Sequence, residues 1–434
     1  MPRMSSWRRA AAVAAVVVGL AGPTAGGQQA PPPAPDIAAL QATIEQLRQQ
    51  LDALERKVAA LQAVPSTAAQ PAGPTPAPAA PVAAAELAPI APALAAPGES
   101  GPVPVSGSPS AASKIFNPDM AVIGNFVGSA GRNAVAPLPA LSLNEAEVSF
   151  QAVVDPYARA DFFLAASPEG LEVEEGFLTF PTLPGGLLVK VGKLKAQFGK
   201  VNTLHAHTLP WVDQPLPMKN LLGGEEGLND AGVSVSRLIP NAVMFLEATG
   251  EVFNGDNGVF TSQRRRDLTY VGRLRGYRDL TEGTNLDVGT SVALGHNDVR
   301  PDGVTRLYGV DATVRYRPLR RAIYQRFLGR TELFWSRRDT LAPGAQADAF
   351  GAYLSGDYQF ARRWFAGGRY DWSDRAEDPT RRDRSGSFLL TYWPSEFSQI
   401  RGQFRRTAYA EGVDANEVLF QFLFSIGAHG AHAF

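Results

Sequence analysis

The chain ends in EVLFQFLFSIGAHGAHAF, Glu417 to Phe434, and this stretch decides between two kinds of fold. Every second residue from 418 to 426 is large and apolar, while the residues between them include Gln421 and Ser425. Because successive side chains of an extended strand point to opposite faces, the segment is predicted to be a strand with one apolar face. That face packs either on the core of a soluble sandwich or against lipid.

Segments of the same kind recur throughout the chain after Asn117, where no long stretch has helical periodicity. In each, one face carries no charge and the other carries Arg, Asp or Glu freely. Clear examples are 145–154, 268–275, 308–317, 350–360 and 364–373.

The full pattern predicts about 16 strands whose connections alternate between tight turns and longer polar loops, which is typical of an outer-membrane barrel. The predicted spans are 119–128, 142–154, 157–166, 171–180, 186–195, 230–238, 243–252, 267–276, 285–294, 305–317, 327–336, 347–360, 363–373, 386–393, 398–407 and 416–427. Two steps depart from the alternation: 167–170 is short where a long loop is expected, and 277–284 is long where a tight turn is expected. The fold class is therefore predicted as all-β, a 16-stranded antiparallel transmembrane β-barrel. An even number of strands places both of its ends on the periplasmic side.

Aromatic residues on the apolar faces are placed to form the membrane girdles. Trp364 and Trp372 share one face and are about eight residues apart, or about 27 Å of strand. With a tilt of about 40°, this spans roughly 20 Å of membrane height, close to the apolar band of a barrel. Phe350 and Tyr358 are assigned to the same girdles.

The first residues, 1–27, are predicted to be a cleavable export signal. Arg3, Arg8 and Arg9 precede an apolar run, 10–22, and small residues follow it. The run is shorter than the roughly 20 residues needed to span a bilayer, and no later apolar segment reaches that length either. There is no Cys, which excludes disulfides and thiolate metal sites.

Residues 36–63 are predicted to form a periplasmic coiled coil. Apolar residues from Ile37 to Leu61 recur at alternating spacings of three and four over about four heptads. A coiled coil requires partner chains, so a homo-oligomer is expected. The sequence does not decide between a dimer and a trimer. A Pro/Ala-rich disordered linker, 64–113, follows, and the barrel occupies 114–434.

GLLVKVGKLKAQFGK at 186–200, continuing through a long loop to LNDAGVSVSRL at 228–238, resembles the phosphate-selective porin group of the O and P type. The alternating strands that lead to a C-terminal aromatic resemble it too. The resemblance implies a homotrimer of 16-stranded barrels, in contact through both barrel and coiled coil, with anion selectivity from arginine and lysine ladders in the pore. It also implies that Phe434 belongs to the signal read by the outer-membrane barrel assembly machinery, although Gly427 to His432 is an unusual insertion before it.

Charged residues of the polar faces are predicted to line the pore. They are Arg159, Lys190, Arg273, Arg275, Arg315, Arg317, Arg369, Arg401, Arg405, Glu145, Glu147, Asp311 and Asp371. Positive and negative charges nearly balance. Two interpretations stay open: ion pairs that hold the wall together, or opposed rows that create a transverse field with weak charge preference.

The longest connection, 196–229, is predicted to fold inward as the constriction loop, the alternative being a surface loop that caps the contacts between barrels. Its candidate residues are Lys200, His205, His207, Trp211, Asp213, Lys219 and Glu225. His205 and His207 have no carboxylate adjacent in sequence, so no metal site is expected from them.

The function expected is an outer-membrane porin, a water-filled channel for passive diffusion of small polar solutes or ions. The sequence leaves open whether the channel prefers anions. The alternative is a structural barrel whose coiled coil tethers the membrane to the cell wall. The expected partners are outer-membrane lipid, the assembly machinery and, for the alternative, cell wall. The net charge of −1 argues against nucleic acid. No nucleophile–base motif or phosphate loop is present, so neither an enzyme nor a cofactor is expected.

Overall fold

The computed structural model describes residues 118–168 and 170–427. The predicted signal, coiled coil and linker lie outside the described residues, as does Phe434. The strands are β1 (Asp119–Arg132), β2 (Leu141–Asp155), β3 (Ala158–Ser167), β4 (Gly170–Leu183), β5 (Leu187–Lys195), β6 (Asn229–Leu238), β7 (Phe245–Phe253), β8 (Thr269–Thr281), β9 (Thr284–His296), β10 (Val304–Tyr316), β11 (Arg326–Asp339), β12 (Gln346–Ala361), β13 (Trp364–Asp374), β14 (Arg382–Ser395), β15 (Ser398–Ala408) and β16 (Asp414–Gly427).

The strands form one closed antiparallel barrel in which each pairs with its neighbours in sequence and β1 pairs with β16. The prediction of a 16-stranded all-β barrel is confirmed. Ala121 lies opposite Gly427, so the first and last strands meet along their length. Closure leaves no strand edge unpaired, which a sheet in contact with hydrocarbon requires.

Connections at one end of the barrel are mostly tight, and those at the other end are mostly longer. The first group is 156–157, 184–186, 239–244, 282–283, 317–325, 362–363 and 396–397. The second group is 133–140, 168–169, 196–228, 254–268, 297–303, 340–345, 375–381 and 409–413. The tight turn 282–283 restores the alternation that the sequence left in doubt, whereas 168–169 stays short.

The alternation in sequence corresponds to two faces with opposite chemistry. On β16 the residues with the parity of Val418 and Phe420 are mostly exposed, whereas Glu417, Leu419 and Gln421 are buried. The same holds on β13, where Tyr370 is exposed and its neighbours are buried. In a closed barrel the buried parity faces the lumen, so the apolar faces point outward and most charged side chains point inward.

Loop 196–228 carries the main departures from strand structure. It contains two single-turn 3₁₀ helices, Val201–Thr203 and Ala206–Thr208, and one short helix, α1 (Leu216–Leu221). Its apolar side chains and those of inward-facing strand residues form one buried cluster, which includes Phe198, Trp211, Leu222, Phe334 and Tyr353. The core of this barrel therefore lies inside it and is built around the loop.

Candidate functional site

The predicted pore-lining residues lie at inward-facing strand positions, with one difference. Arg273, Arg369, Arg401 and Arg405 are buried, and so are Glu145, Glu147, Asp311 and Asp371. Arg159, Lys190, Arg275 and Arg315 are half-buried. Arg317 lies just beyond the end of β10, in connection 317–325, and is exposed. Their role as the wall of a pore remains a prediction.

Ion pairs along the inner wall, within one strand or between strands, account for much of this charge. Arg273 Nη2 lies 3.0 Å from Asp311 Oδ2, joining β8 and β10. Arg275 Nη2 lies 3.1 Å from Asp287 Oδ2, joining β8 and β9. Arg159 pairs with Asp161 on its own strand at 2.8 Å. These contacts fit the interpretation in which opposite charges brace the wall.

Loop 196–228 reaches inward-facing residues on the opposite side of the barrel. The rings of Phe198 and Phe334 lie 5.9 Å apart, and Trp211 meets the edge of Tyr353 at 5.2 Å. Asn220 in α1 donates to Asp383 on β14 at 3.0 Å. The loop therefore lies across the lumen in this structure.

The loop turns into the lumen at Gly199, and the carboxylate of Glu332 on the wall accepts hydrogen bonds from the backbone that follows. Gly199 adopts φ +64°, and a Cβ there would meet Glu332 Oε2. Glu332 accepts from the backbone N–H of Lys200 at 2.7 Å and of Val201 at 2.9 Å. Arg273 also donates to the Gly199 carbonyl. A side chain at this position would displace these contacts.

At the far wall, Asp213 holds the loop through charged contacts. Arg369 donates to Asp213 Oδ1 at 3.0 Å and to its carbonyl at 2.8 Å. Arg405 donates to Oδ2 at 2.6 Å, and Gln403 donates to Oδ1 at 2.5 Å. Burial alone would raise the pKa of Asp213, but Arg369 and Arg405 hold it well below its ordinary value.

At the near wall, the two histidines of the loop meet carboxylates of β2 and β4. His205 Nδ1 lies 2.8 Å from Glu147 and 3.0 Å from Glu174, and its Nε2 lies 2.8 Å from Glu175. His207 Nδ1 lies 3.4 Å from Glu147. Burial alone would lower the pKa of His205, but Glu174, Glu147 and Glu175 raise it well above its ordinary value.

Glu174 and Glu175 were missed as inward-facing residues because a β-bulge shifts the parity of β4. Phe163 pairs with Glu175 and Leu164 with Val173, so Glu174 is the extra residue. Both glutamates are buried as a result. The adjacent pair of acids in LEVEEG was the available signal, since a strictly alternating strand would expose one of them to lipid.

A third group of charges lies between these two walls. Lys200 Nζ lies 2.6 Å from Asp287 on β9. Burial lowers the pKa of Lys200 to about 8, and Arg315 and Arg275 act in the same direction against the opposing effect of Asp287. Arg315 is in turn close enough to Arg330 for their charges to repel.

The remaining predicted loop residues are less enclosed. Lys219, in α1, is half-buried and lies within electrostatic range of Asp213. Glu225 is exposed, and its carbonyl accepts from Gln214 at 2.7 Å.

The predicted girdle aromatics lie on the outward parity, in two groups at opposite ends of the strands. Phe350 and Trp372 have ring centroids 5.1 Å apart, and Trp335 joins them at 5.2 Å from Phe350. At the tight-turn end, Trp364 lies 4.6 Å from Tyr392. Tyr358 is exposed near that end. The sequence prediction missed Trp335 and Tyr392, which share the parity of their strands' apolar faces.

No helix among the described residues combines the length and apolar character needed for a membrane span. No protein-family model matches the sequence. An uncharacterised protein of Aquifex aeolicus (strain VF5) is 31% identical over 342 residues, which cover 68% of this chain and 70% of that protein. The chain belongs to the same family as that protein.

Solved structures with similar folds include the anion-selective porin from Comamonas acidovorans, with 10% identity and a TM-score of 0.50 over 71% of this chain and 99% of that chain. Pseudomonas putida OprB has 10% identity and a TM-score of 0.50 over 73% of this chain and 95% of its own. A loop-deletion mutant of OmpT, an outer membrane protein of Vibrio cholerae, has 9% identity and a TM-score of 0.50 over 71% of this chain and 99% of its own. Such likeness shows the fold, a barrel of the outer-membrane porin type.

Proposed function

We propose that the protein is an outer-membrane porin with a narrow, water-filled channel for passive diffusion of small polar solutes or ions. One observation carries this proposal. The closed barrel exposes apolar residues outside and buries charged residues inside, and loop 196–228 lies across the interior.

Outer-membrane placement is supported by the two aromatic groups. Trp372 and Trp364 lie about eight residues apart on β13, which gives roughly 20 Å of height for a tilted strand. Arg382 lies over the Trp372 ring with its guanidinium carbon 4.2 Å from the centroid. A cation beside the outer aromatic group suits the headgroup level of the membrane.

A preference for anions is supported by one stretch of the interior. Lys200, Arg275, Arg315, Arg330 and Arg401 lie in a chain of electrostatic neighbours that we call the basic stripe. Acidic groups that interact with it, Asp287, Glu332 and Asp357, are fewer. Excess positive charge beside a narrow passage raises the local concentration of anions. Small anions are therefore the proposed solutes, in keeping with the resemblance to phosphate-selective porins.

The proposal includes the assembly that the sequence predicts. The export signal delivers the chain to the periplasm, Phe434 contributes to recognition by the barrel assembly machinery, and the heptads of 36–63 join copies of the chain into a homotrimer. The barrel then lies in outer-membrane lipid with its N-terminal segment in the periplasm.

Liposome swelling tests this function directly. Refolded protein in liposomes is expected to admit uncharged sugars up to a sharp size limit, and small anions faster than cations of equal size. Liposomes that contain heat-unfolded protein serve as the control. A folded barrel that gives no more swelling than this control would contradict the proposal.

A second candidate is a tether between the outer membrane and the cell wall. It is favoured by the predicted coiled coil and its long linker, together with an interior that holds an apolar cluster. Co-sedimentation of the full chain with purified cell-wall sacculi tests it. A form without residues 36–63 should then lose sedimentation, whereas equal sedimentation of both forms would contradict a tether.

A further inference from the structure

The near wall of the lumen brings together carboxylates and imidazoles that are distant in sequence. We call this group the Glu–His cluster. Its members come from β2, from β4, from the end of β5 and from loop 196–228. They are Glu145, Glu147, Glu174, Glu175, Lys195, His205 and His207.

Part of the cluster is already neutralised by its own members. Lys195 Nζ lies 2.9 Å from Glu174 Oε1, and the Lys195 backbone N–H donates to Glu175 Oε1 at 2.7 Å. His205 Nε2 contacts Glu175, and its Nδ1 contacts Glu174. The two acids of β4 are thus satisfied by a lysine and an imidazole.

The two acids of β2 are in a different state. Glu145 is 6% exposed and Glu147 is 2% exposed. Glu145 Oε2 has no hydrogen-bond partner among the described residues. A buried carboxylate without a partner either stays protonated or has a positive charge beside it. Lys195, paired with Glu174, and His205, paired with Glu147, attract Glu145, but neither donates a hydrogen bond to its Oε2.

Glu145, Glu147 and His207 each offer one ligand atom, and these atoms all lie within 4.8 Å of one another. His207 Nδ1 lies 3.4 Å from Glu147 Oε2. Zinc–ligand bonds of about 2.0–2.2 Å in tetrahedral geometry place neighbouring donors roughly 3.3 Å apart. The donors therefore need only small shifts to surround one ion.

We propose that Glu145, Glu147 and His207 bind one divalent cation of the zinc class inside the barrel. A mixed set of imidazole and carboxylate favours Zn²⁺ over Ca²⁺ or Mg²⁺, which prefer oxygen ligands only. Three protein ligands leave a fourth position for water or a small anion. His205, 2.8 Å from Glu147, acts as a positioning residue for that carboxylate.

A bound ion would join the loop to the barrel wall, because His207 belongs to loop 196–228 whereas Glu145 and Glu147 belong to β2. The near wall would then hold the loop as firmly as Asp213 does at the far wall. Binding of the ion does not depend on the channel function, so either proposal can fail without the other.

Zinc titration of the untagged full chain, refolded and stripped of metal, tests the proposal. His429 and His432 are replaced by Ala in every sample so that the C-terminal segment contributes no imidazole. We expect one equivalent of Zn²⁺ per chain by calorimetry and elemental analysis. We also expect Glu147→Gln and His207→Ala to weaken binding by more than about 100-fold, since loss of a ligand costs more than the about 10- to 100-fold of losing a residue that supports one.

His296→Ala is the matched control, since His296 lies outside the cluster, 3.9 Å from Asp267. It should bind Zn²⁺ as the parent does. X-ray absorption at the zinc edge should show nitrogen and oxygen donors at about 2.0–2.2 Å. The change in gel migration of each variant on heating checks that its barrel is folded. Absence of stoichiometric binding, or equal affinity in folded Glu147→Gln and His296→Ala, would overturn the proposal. The carboxylates of the cluster would then be balanced by His205 and Lys195 among the described residues.

Discussion

Loop 196–228 is held at two walls of the lumen, and the two attachments differ in how their charges are matched. At the far wall, Asp213 lies between Arg369 and Arg405, which also pair with Asp371 at 2.9 Å and with Glu417 at 2.5 Å. At the near wall, four glutamates face one lysine and two histidines of the Glu–His cluster.

The difference separates a structural contact from a candidate binding site. At the far wall Arg369 and Arg405 each meet two carboxylates directly, although Asp371 Oδ1 is also buried without a hydrogen bond among the described residues. At the near wall Glu145 Oε2 is buried without a hydrogen bond among the described residues. What differs is the neighbour of the open carboxylate oxygen: at the near wall it is the imidazole of His207, a metal-ligating group, whereas at the far wall it is arginine.

The largest effect is expected from Asp213→Ala, which breaks the far attachment. Removal of one partner from a buried ion pair typically costs about 3–5 kcal/mol, and here two arginines lose a carboxylate. The loop should leave the far wall, and single-channel conductance should rise by about twofold or more because the passage is wider.

Asp302→Ala is the control for that change. Asp302 pairs with Arg264 at 3.3 Å, but its side chain is 82% exposed, and surface pairs contribute about 0–1 kcal/mol. Conductance should stay at the parent value. Equal conductance of Asp213→Ala and the parent would show that the far attachment does not set the width of the passage.

Metal removal sharpens the contrast at the near wall. With zinc bound and then chelated, amide hydrogen exchange in 206–208 should accelerate by about tenfold or more, since local opening no longer breaks a metal contact. Exchange in α1 (Leu216–Leu221), beside the far wall, should not change. Uniform acceleration of both segments would mean that the two attachments are not independent.

Charge preference is tested at the basic stripe. Arg315→Gln and Arg330→Gln each remove one inward-facing positive charge, and the anion-to-cation permeability ratio should fall by about two- to threefold for each. Arg320→Gln removes an exposed charge from connection 317–325 and serves as the matched control. Reversal potentials under a salt gradient give the ratio. An equally large fall of the permeability ratio in Arg320→Gln would show that exposed charge at the pore mouth, and not the basic stripe, sets the selectivity.

The smallest effect is expected from pH. The pKa of Lys200 is about 8, so its side chain is charged below this value and neutral above it. Anion preference should therefore weaken between about pH 7 and pH 9, by less than for loss of an arginine. Lys200→Arg should remove this dependence, because arginine stays charged throughout this range. Persistence of the same pH dependence in that variant would exclude Lys200 as its source.

The sequence predicted the sixteen strands and most inward-facing charges because both follow from alternation along one strand. Parity failed where a bulge intervenes, as at Glu174 and Glu175. The contacts of the loop could not be predicted from the sequence for another reason. Asp213 and Arg405 lie 192 positions apart, so only the closed barrel brings them together. The histidines had no acid beside them in sequence, and the fold supplies the acids from β2 and β4.

Recording from single refolded barrels in a planar bilayer, with the reversal potential under a KCl gradient, tests the central claim most directly. A porin narrowed by an inward loop, with a basic stripe beside it, should give small discrete steps, in groups of three if the chain is trimeric. The reversal potential should show preference for chloride. Well-folded, heat-modifiable barrels that give no steps would contradict the claim and favour the tether.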